Sequence, residues 1–488
     1  MMKYSFDTIN SKEYVGTLVF LYGDDVTERE LPLGKKEIQL LRERRNDAAD
    51  CIVSFDRLPS RLHVVSFDSG QPMNKAKEQL RRRAMELLQR LEEDKCSTIA
   101  VTGDGVLPEE IEAFLEGLSI ADYSFDRYRA KKDYHIETII IDDKYLGADE
   151  LQPSINLWRR LEQCRNWVNT PVQDLNAPLF AAQIEEAAKE VEGVKCTVMD
   201  RRQIESLRMG GLLAVNRGSV DEPRFVVLEY NGMQGEKHHE GKEDKPIVLV
   251  GKGITYDTGG LNIKPDEHMQ EMKSDMAGAA TMVATLLAAA DNRLPVHIMA
   301  VIPMTDNRPG FNAYVADDIL TMYDGTTVEV VNTDAEGRLI LADAIAYAAQ
   351  NLNPALIVST ATLTGAAVRA LHSFAIPVMQ QEAQKYFSLL QIVGEQTYER
   401  VVELPMWEEY DKLIESHYAD LRNCGTTNNA GTITAAKFLA HFAHGKPFIH
   451  IDIAAVAYLS DKQFYYRPGA TASPVRLLYA FLQLQEAI

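Results

Sequence analysis

The chain is poor in the features that secreted and membrane proteins need. Its 488 residues include only five cysteines. None of them lies in a Cys-x-x-Cys spacing, which argues against a disulfide framework and against a thiolate zinc site. Residues 1–10 lack the apolar core of a secretion signal. The longest apolar-rich run, residues 277–290, is too short to cross a bilayer. These absences predict a cytoplasmic protein that does not enter a membrane.

Positive charge is also scarce. Lys and Arg number 51 against 71 Asp and Glu, a formal net charge of -20. This balance opposes diffuse attraction to nucleic acid or to an anionic membrane, so we expect neither as a partner. The length exceeds that at which one hydrophobic core usually stops growing, and 46% hydrophobic residues suffice for two cores. We therefore predict two domains.

Short β-type runs alternate with helical patterns along most of the chain. In the first part the predicted strands are residues 16–22, 51–55, 62–67, 98–101 and 135–141, with a helix over 74–95. This alternation is typical of an α/β domain with a largely parallel sheet, which we place at residues 1–150. A helical pattern that Pro171 ends predicts a connecting helix at 151–170.

From residue 171 to residue 488 the same alternation predicts a second α/β domain. Its expected elements are a helix over 179–191 and strands at 196–199, 225–230, 247–250, 296–302 and 355–359. These strands are nearly continuous in apolar residues, as expected when helices cover both faces of a sheet. A polar stretch at 235–245 contains His238 and His239. Adjacent histidines in such a charged segment are more typical of a solvent-facing loop than of a metal site.

Two dense groups of charged side chains stand out in the second part. The first group follows the predicted strand 247–250 and comprises Lys252, Asp257, Lys264 and Asp275. The second follows the β-branched run 327–331 and comprises Asp334, Glu336 and Arg338. If the second segment is extended, its three side chains point the same way, because alternate residues of a strand share a face. Both groups begin where a predicted strand ends, which is where ligands bind in doubly wound sheets.

The four carboxylates would repel one another in one cleft unless cations compensate them. Two divalent ions would balance their charge, and hard oxygen ligands suit Mg, Mn or Zn. A lysine can ligate only as the neutral amine, which a nearby dication favours by depressing its pKa. An Asp-x-Glu triplet alone more often indicates a solvated turn. The two groups together favour a metal site.

The same segments resemble the M17 leucyl aminopeptidases, the cytosol aminopeptidase family. The resemblance is carried by Asn-Thr-Asp-Ala-Glu-Gly-Arg-Leu at 332–339, Ala-Thr-Leu-Thr-Gly at 361–365, and the blocks at 250–260 and 272–276. Weaker similarity brings its extent to about residues 160–485. It implies an α/β fold in two domains. The N-terminal α/β domain would be macro-like, and the C-terminal catalytic domain would hold a mixed, largely parallel sheet flanked by helices.

The resemblance also implies a role for each site residue. Asp257 and Glu336 would bridge two ions, Lys252 and Asp275 would complete the tighter ion site, and Asp334 the more exchangeable one. Lys264 would polarise the scissile carbonyl, and Arg338 would hold a bicarbonate ion as general base. The side-chain pocket would be lined by Met272, Thr362, Gly365 and Ala454. Manganese or zinc, with magnesium or cobalt as alternatives, would support water attack on short peptides.

The implied activity is release of leucine and similar apolar residues from peptide N-termini, in a homohexamer. Two alternatives stay open on the residues alone. Carboxylate-held ion pairs also hydrolyse phosphate esters. A non-catalytic regulator that binds DNA could use the same scaffold, although the net charge of -20 opposes it.

Overall fold

The computed structural model describes residues 2–23, 31–48, 50–57, 59–233, 245–425, 427 and 429–484. His238 and His239 lie outside the described residues. The chain divides into two compact units. The first comprises Met1–Glu162 with Ser460–Pro468, and the second comprises Gln163–Leu459 with Gly469–Ile488. The domain boundaries at 150 and 170 stay a prediction. No local sequence pattern indicates that residues 460–468 group with the first unit.

The first unit contains a six-stranded sheet and its helices. Its strands are β1 (Lys3–Asp7), β2 (Thr17–Tyr22), β3 (Ile52–Arg57), β4 (Ser60–Ser66), β5 (Thr98–Asp104) and β6 (Thr138–Asp142), and its helices are α1 (Lys35–Asp47), α2 (Met73–Glu93) and α3 (Pro108–Asp122). The strand order is β1-β6-β5-β2-β4-β3. Among these described strands, the β3–β4 pair is antiparallel and the other pairs are parallel. Helix α4 (Ala148–Asn169) follows, at the predicted connecting helix.

The second unit is larger and repeats the α/β alternation. Its strands are β7 (Val194–Met199), β8 (Arg224–Asn231), β9 (Ile247–Gly251), β10 (Gly253–Asp257), β11 (His297–Asn307), β12 (Ile319–Thr321), β13 (Thr327–Glu329), β14 (Leu356–Ala361), β15 (Ile376–Gln381), β16 (Val401–Glu403), β17 (Leu421–Arg422), β18 (Phe448–Asp452), β19 (Tyr458–Leu459) and β20 (Gly469–Ala470).

Its helices connect these strands. They are α5 (Ala177–Lys189), α6 (Arg201–Ser206), α7 (Gly210–Asn216), α8 (Asp266–Met269), α9 (Ala277–Asp291), α10 (Glu336–Asn351), α11 (Gly365–Leu371), α12 (Gln384–Thr397), α13 (Gly431–His441) and α14 (Val475–Gln483), with 3-10 helices at Met272–Met276, His372–Phe374 and Glu408–Ile414. Each predicted strand of this unit overlaps an observed strand.

A mixed sheet of nine strands organises the second unit. Its order is β16-β15-β18-β14-β9-β11-β8-β7, and β10 also pairs with β11. Strands β18, β14, β9 and β11 run parallel at its centre. The pairs β15–β18, β11–β8 and β8–β7 are antiparallel. The predicted α/β class with a mixed, largely parallel sheet is confirmed.

Helices α9 and α10 both pack against β9, β11 and β14. Every residue from Ala277 to Ala290 of α9 is buried. Alanine dominates this run and has the best helix propensity of all residues, while its small side chain lets the strands approach closely. On β9, Val248 and Val250 join the core cluster that contains the apolar residues of α10. The central strands are therefore held in place along their whole length.

No helix in the described ranges is long and apolar enough to cross a membrane.

The close approach of α9 to the sheet gives a testable prediction. A Cβ at Gly278 would lie 2.2 Å from the carbonyl oxygen of Thr360 and 3.0 Å from the amide of Lys252. Because these are backbone atoms of packed elements, Gly278→Ala should lower the free energy of unfolding by roughly 1–3 kcal/mol. Denaturant unfolding of the full chain measures it.

Gly431→Ala, at the first residue of α13, is the matched control. Its new Cβ would lie 3.4 Å from the Cβ of Ala366, an ordinary contact. We expect a change within about 0.5 kcal/mol. Equal stability of the two variants would contradict the close-packing account.

Candidate metal centre

Lys252 follows the last residue of β9, and its backbone is held on both sides. Its amide donates to the carbonyl of Thr360 at 3.1 Å, and its carbonyl accepts from the amide of Ala279 at 2.9 Å. The first bond ties Lys252 to the neighbouring strand β14, and the second ties it to the first turn of α9. The origin of the lysine side chain is therefore fixed by the sheet and by the helix that packs on it.

The ammonium of Lys252 is enclosed by two buried carboxylates. Its Nζ lies 2.7 Å from Oδ2 of Asp275 and 2.9 Å from Oε1 of Glu336. It also donates to the carbonyl oxygen of Thr362 at 3.0 Å. The side chain of Lys252 is only 3% exposed. Buried charges of this kind are stable as a set, because removal of one partner leaves the others uncompensated.

A second ammonium joins the other two carboxylates. Nζ of Lys264 lies 2.9 Å from Oδ2 of Asp257 and 2.6 Å from Oδ1 of Asp334. Asp257 ends β10, and the turn after it passes through Gly259 at a φ of +84°. A Cβ there would lie 2.4 Å from the carbonyl oxygen of Asn262. Only glycine suits this left-handed, crowded position. The turn brings Lys264 back to Asp257.

The electrostatics of the cluster are dominated by burial and by repulsion among the acids. Burial, and then the charge of Glu336, raise the pKa of Asp257 to about 7. Burial also raises the pKa of Asp275 to about 7, although Lys252 opposes it. For Glu336 itself, burial would raise the pKa, but the two lysines outweigh burial and lower it. Four carboxylates against two ammonium ions leave a site that attracts further positive charge.

Lys252 is a charged ammonium in this arrangement. Burial alone would lower its pKa, but Asp275 and Glu336 outweigh burial and raise the pKa above its ordinary value. A metal ion would bind this nitrogen only with release of its proton, because a ligating amine must be neutral. The ligand role of Lys252 stays a prediction.

The expectation of an extended segment at Asp334, Glu336 and Arg338 is wrong. Strand β13 ends at Glu329, and Glu336 is the first residue of α10. Acidic residues are favoured in a first helical turn, where they face the positive end of the helix dipole. Residues two apart on a helix do not share a face. Asp334 and Glu336 come together because the turn before α10 directs Asp334 towards Lys264.

The second group follows β13, which is not a strand of the main sheet. Strand β13 belongs to a three-stranded sheet with β12 and β17. The main sheet contributes through other strand ends. Lys252 follows β9, and Thr362 follows the adjacent parallel strand β14. The carboxyl edge of the central strands carries the first group, as in doubly wound sheets generally.

Arg338 lies in the first turn of α10 and is 7% exposed. Its Nε has no hydrogen-bond partner within the described ranges. Burial lowers the pKa of Arg338, with Cys424 and then Glu336 opposing that shift. A buried N–H group normally has an acceptor. The guanidinium therefore offers a donor suited to an anion or a water molecule.

The chemistry of the acidic side chains fits divalent ions. One oxygen each from Asp257, Asp334 and Glu336 lies within 4.8 Å of the others. Oε2 of Glu336 is buried and accepts no hydrogen bond from any described residue. Such an oxygen is costly to bury without a donor or a cation. Carboxylate oxygens are the ligands that hard divalent ions prefer. The residues present therefore suit the metal ions that the sequence predicts.

The four predicted pocket residues lie on three segments around the lysine cluster. Met272 begins the 3-10 helix that carries Asp275, and Gly365 begins α11. Thr362 and Ala454 follow the adjacent parallel strands β14 and β18. Thr362 reaches the cluster directly, since its Oγ1 donates to Oδ1 of Asp275 at 2.8 Å. Gly365 is exposed and the other three are partly exposed.

Sequence reasoning missed Asp452, a fully buried acid at the end of β18. One of its oxygens accepts from the amides of Leu363 and Ala454, each at 3.2 Å, and the other accepts from the hydroxyl of Thr364 at 2.7 Å. Asp452 therefore ties together two loops that carry pocket residues. Sequence reasoning also missed Asn307 and Thr333, which join the two acidic turns. Asp452 and Asn307 are isolated in sequence, and Thr333, although it lies in the block at 332–339, is uncharged and gave no sign of a role in the site.

The fold and the site together define a class: an α/β protein with a buried acidic centre, able to bind divalent ions, at the carboxyl edge of its sheet. The family model for the cytosol aminopeptidase family, catalytic domain, matches residues 162–479, which is more than half of the chain. The chain belongs to the cytosol aminopeptidase family.

Related sequences match this chain over 80% to 91% of its length. A probable cytosol aminopeptidase of Geobacter sulfurreducens is 41% identical over 396 residues, covering 80% of this chain and 78% of the relative. One from Chlorobium limicola is 37% identical over 472 residues, covering 91% of each chain. The solved structure of the bottromycin maturation enzyme BotP in complex with Mn matches with a TM-score of 0.83 and 28% identity, over 96% of this chain and 98% of that one.

Membership makes the chain a metal-dependent aminopeptidase, a hydrolase. The predicted family, fold and enzyme class are confirmed. The assignment of each site residue stays a prediction, because the comparisons concern whole chains rather than individual side chains.

The enclosed lysine gives a testable prediction. Lys252→Met keeps the length of the side chain but removes its charge, which leaves the buried carboxylates of Asp275 and Glu336 uncompensated. We expect a loss of about 3–5 kcal/mol in the free energy of unfolding at pH 8 in the presence of a chelator. The loss should shrink at pH 5. In the folded chain the pKa of Asp275 is about 7, above its ordinary value. Asp275 is therefore protonated at pH 5, which removes its repulsion with the other carboxylates.

Lys189→Met is the matched control, because Lys189 pairs with Glu185 at 3.2 Å on the surface, with side-chain exposures of 70% and 43%. Its removal should change stability by less than about 1 kcal/mol at either pH. A Lys252→Met variant as stable as this control at pH 8 would contradict the account.

Proposed function

We propose that the chain holds two divalent ions in this centre and releases leucine and similar apolar residues from the N-termini of short peptides. The observation that carries the proposal is the convergence of Asp257, Asp334 and Glu336, whose oxygens lie within 4.8 Å of one another. No His or Cys is required in the ligand set, which suits manganese, zinc, magnesium or cobalt bound through oxygen. With Lys252 neutral as a ligand, the four carboxylates face only the ammonium of Lys264, and one divalent ion does not balance that acidic excess.

The ligand assignment that we propose is the one that the family resemblance implies, and the exposure of the carboxylates is compatible with it. Asp257 and Glu336, whose side chains are only 3% and 2% exposed, would hold both ions. Lys252 and Asp275 would complete the tighter site, on the buried side of the cluster. Asp334 would complete the more exchangeable site, because its side chain is 31% exposed. Solvent access lets an ion and its water shell leave more readily.

The ions would lower the pKa of a bound water molecule and stabilise the negative charge that develops on the scissile carbonyl oxygen. The chain's own charges support the same reaction. Lys264 is charged, because the nearby carboxylates raise its pKa against the opposing effect of burial. We propose that it polarises the peptide carbonyl, since its ammonium lies between Asp257 and Asp334.

Arg338 is the residue that we propose holds bicarbonate. Its buried Nε has no partner among the described residues, and a guanidinium binds planar oxyanions through two parallel hydrogen bonds. The cluster itself offers no free histidine to accept a proton. A bicarbonate held by Arg338 would supply that general base.

Met272, Thr362, Gly365 and Ala454 are the proposed pocket for the first side chain of the peptide. A flexible thioether with small neighbours accommodates leucine, methionine and similar groups. The shared anchor at Asp452 supports the proposal, because it bonds the loop of Thr362 to the loop of Ala454.

A homohexamer, which the family resemblance implies, and a cytoplasmic location, which the sequence predicts, are further parts of the proposal. Short, flexible peptides would then be the substrates that reach the centre. Neither nucleic acid nor a membrane is a proposed partner.

Metal dependence and the free N-terminus can be tested together. Chelated protein should lose activity on leucine amide and on short peptides that begin with leucine, and Mn²⁺ or Zn²⁺ should restore it. Metal analysis of the reconstituted protein should give two ions per chain. N-acetyl analogues should not be cleaved, because losing the amine leaves buried charges of the site without a partner. Equal rates on free and acetylated substrates would refute the assignment.

The role of Arg338 gives a separate prediction. Arg338→Met should lower kcat about 100-fold or more, as expected for loss of a general base. Stimulation by added bicarbonate should disappear with it, while KM and metal content should change little. The control is Arg369→Met, an exposed position on α11, which should keep both kcat and the bicarbonate response. A bicarbonate response that persists in Arg338→Met would remove this residue from the mechanism.

A further inference from the structure

The turn that carries Asp334 is held by buried side chains that lie outside the proposed ligand set. Thr333 and Asn307 are fully buried, and Tyr314 is 1% exposed. Asn307 ends β11, Tyr314 lies in the loop that follows, and Thr333 directly precedes Asp334. Three separate parts of the chain therefore meet behind one of the four acidic residues of the centre.

Thr333 joins the two acidic turns to each other. Its Oγ1 donates to the carbonyl oxygen of Gly259 at 2.6 Å and accepts from the amide of Asn262 at 2.8 Å. Its own amide donates to Oδ1 of Asn262 at 2.9 Å. The turn that follows Asp257 is thereby bonded three times to the residue before Asp334.

The carbonyl of Thr333 is fixed from the other side. It accepts from Nδ2 of Asn307 at 3.0 Å and from the hydroxyl of Tyr314 at 2.7 Å. Nδ2 of Asn307 also donates to Oδ1 of Asp257 at 2.8 Å. A single amide nitrogen thus links the carboxylate of Asp257 to the backbone next to Asp334.

The other half of the centre uses different supports. Lys252 is tied to β14 and to α9 through its backbone, and Asp275 accepts from the hydroxyl of Thr362. None of these bonds passes through Thr333, Asn307 or Tyr314. A change at Thr333 or Tyr314 leaves these bonds and the bond from Asn307 to Asp257 in place, so it should displace Asp334 before the other carboxylates.

We propose that Thr333, Asn307 and Tyr314 are positioning residues that set the distance between the carboxylates of Asp257 and Asp334. They thereby determine the affinity of the more exchangeable of the two ion sites. This inference rests on the proposed function. It predicts that these uncharged residues affect the binding of one ion more than that of the other. Residues that only stabilised the fold would not have this selective effect.

The test uses the full chain, freed of metal and titrated with Mn²⁺ by calorimetry. Thr333→Val keeps the volume of the side chain but removes the hydroxyl that holds Gly259 and Asn262. The Kd of the weaker ion should rise roughly tenfold, and that of the tighter ion by less than about twofold. Tyr314→Phe removes one of two donors to the carbonyl of Thr333 and should raise the weaker Kd roughly threefold.

Two variants serve as controls. Thr333→Ser keeps the hydroxyl and should bind both ions like the unaltered chain. Thr285→Val removes a fully buried hydroxyl from α9, where it donates to the carbonyl of Thr281 at 2.9 Å, and should leave both Kd values unchanged. Thermal unfolding of each variant shows whether it folds. Tyr314→Phe decides the question if Thr333→Val does not fold, because Asn307 still holds the turn.

The outcomes separate this inference from the proposed function. Selective weakening of one ion, with recovery in Thr333→Ser, supports the inference. Equal weakening of both ions, or unchanged binding in Thr333→Val and Tyr314→Phe, overturns it alone. An unaltered chain that binds fewer than two Mn²⁺ ions overturns the proposed function, and this inference with it.

Discussion

Repulsion among four acids in one small, buried volume is the constraint on which the second unit depends. Asp257, Asp275, Asp334 and Glu336 cannot all be charged together at neutral pH without nearby cations, since burial and mutual repulsion favour their protonated forms. Two lysines compensate part of that negative charge, and each lies between two carboxylates. The negative charge that remains favours the binding of divalent ions in the centre. Replacing buried ion pairs by apolar residues is often neutral or stabilising, so stability alone does not account for such a cluster.

The sheet and its helices supply the rigidity that such a cluster requires. The side chains of a binding or catalytic centre have to be held within about 0.5 Å of their working geometry, so their anchors have to be stiff. The helix glycines Gly278 and Gly337 contribute to this rigidity because they have no side chain. A Cβ at Gly278 would meet the backbone of Thr360 at 2.2 Å, and one at Gly337 would meet Cε of Lys252 at 2.4 Å. Close packing of α9 on the backbone of β14 and of α10 on the side chain of Lys252 thus fixes the lysine from two directions.

Two buried polar atoms of the centre lack, among the described residues, the hydrogen-bond partners that such atoms normally have. Oε2 of Glu336 and Nε of Arg338 are buried without partners in the described part of the chain, whereas buried polar groups in proteins normally have them. Such violations are expected where a protein binds something. Thr333, by comparison, is bonded through its hydroxyl, its amide and its carbonyl, and these bonds hold the two acidic turns together.

By itself the sequence determined the α/β class, five of the nine strands of the main sheet, the family and the charged residues of the centre. These follow from hydrophobic periodicity and from short blocks whose residue types are unusual together. Only the tertiary structure decided how those residues meet. Asp334, Glu336 and Arg338 were expected on one extended face. Because α10 begins at Glu336, Asp334 instead lies in the turn before the helix, and the three side chains do not share a face. The long-range bonds of Thr333 and Asp452 join segments 71 to 89 residues apart. A periodic pattern reports only on neighbours within a turn or a strand, so contacts at that separation cannot be read from it.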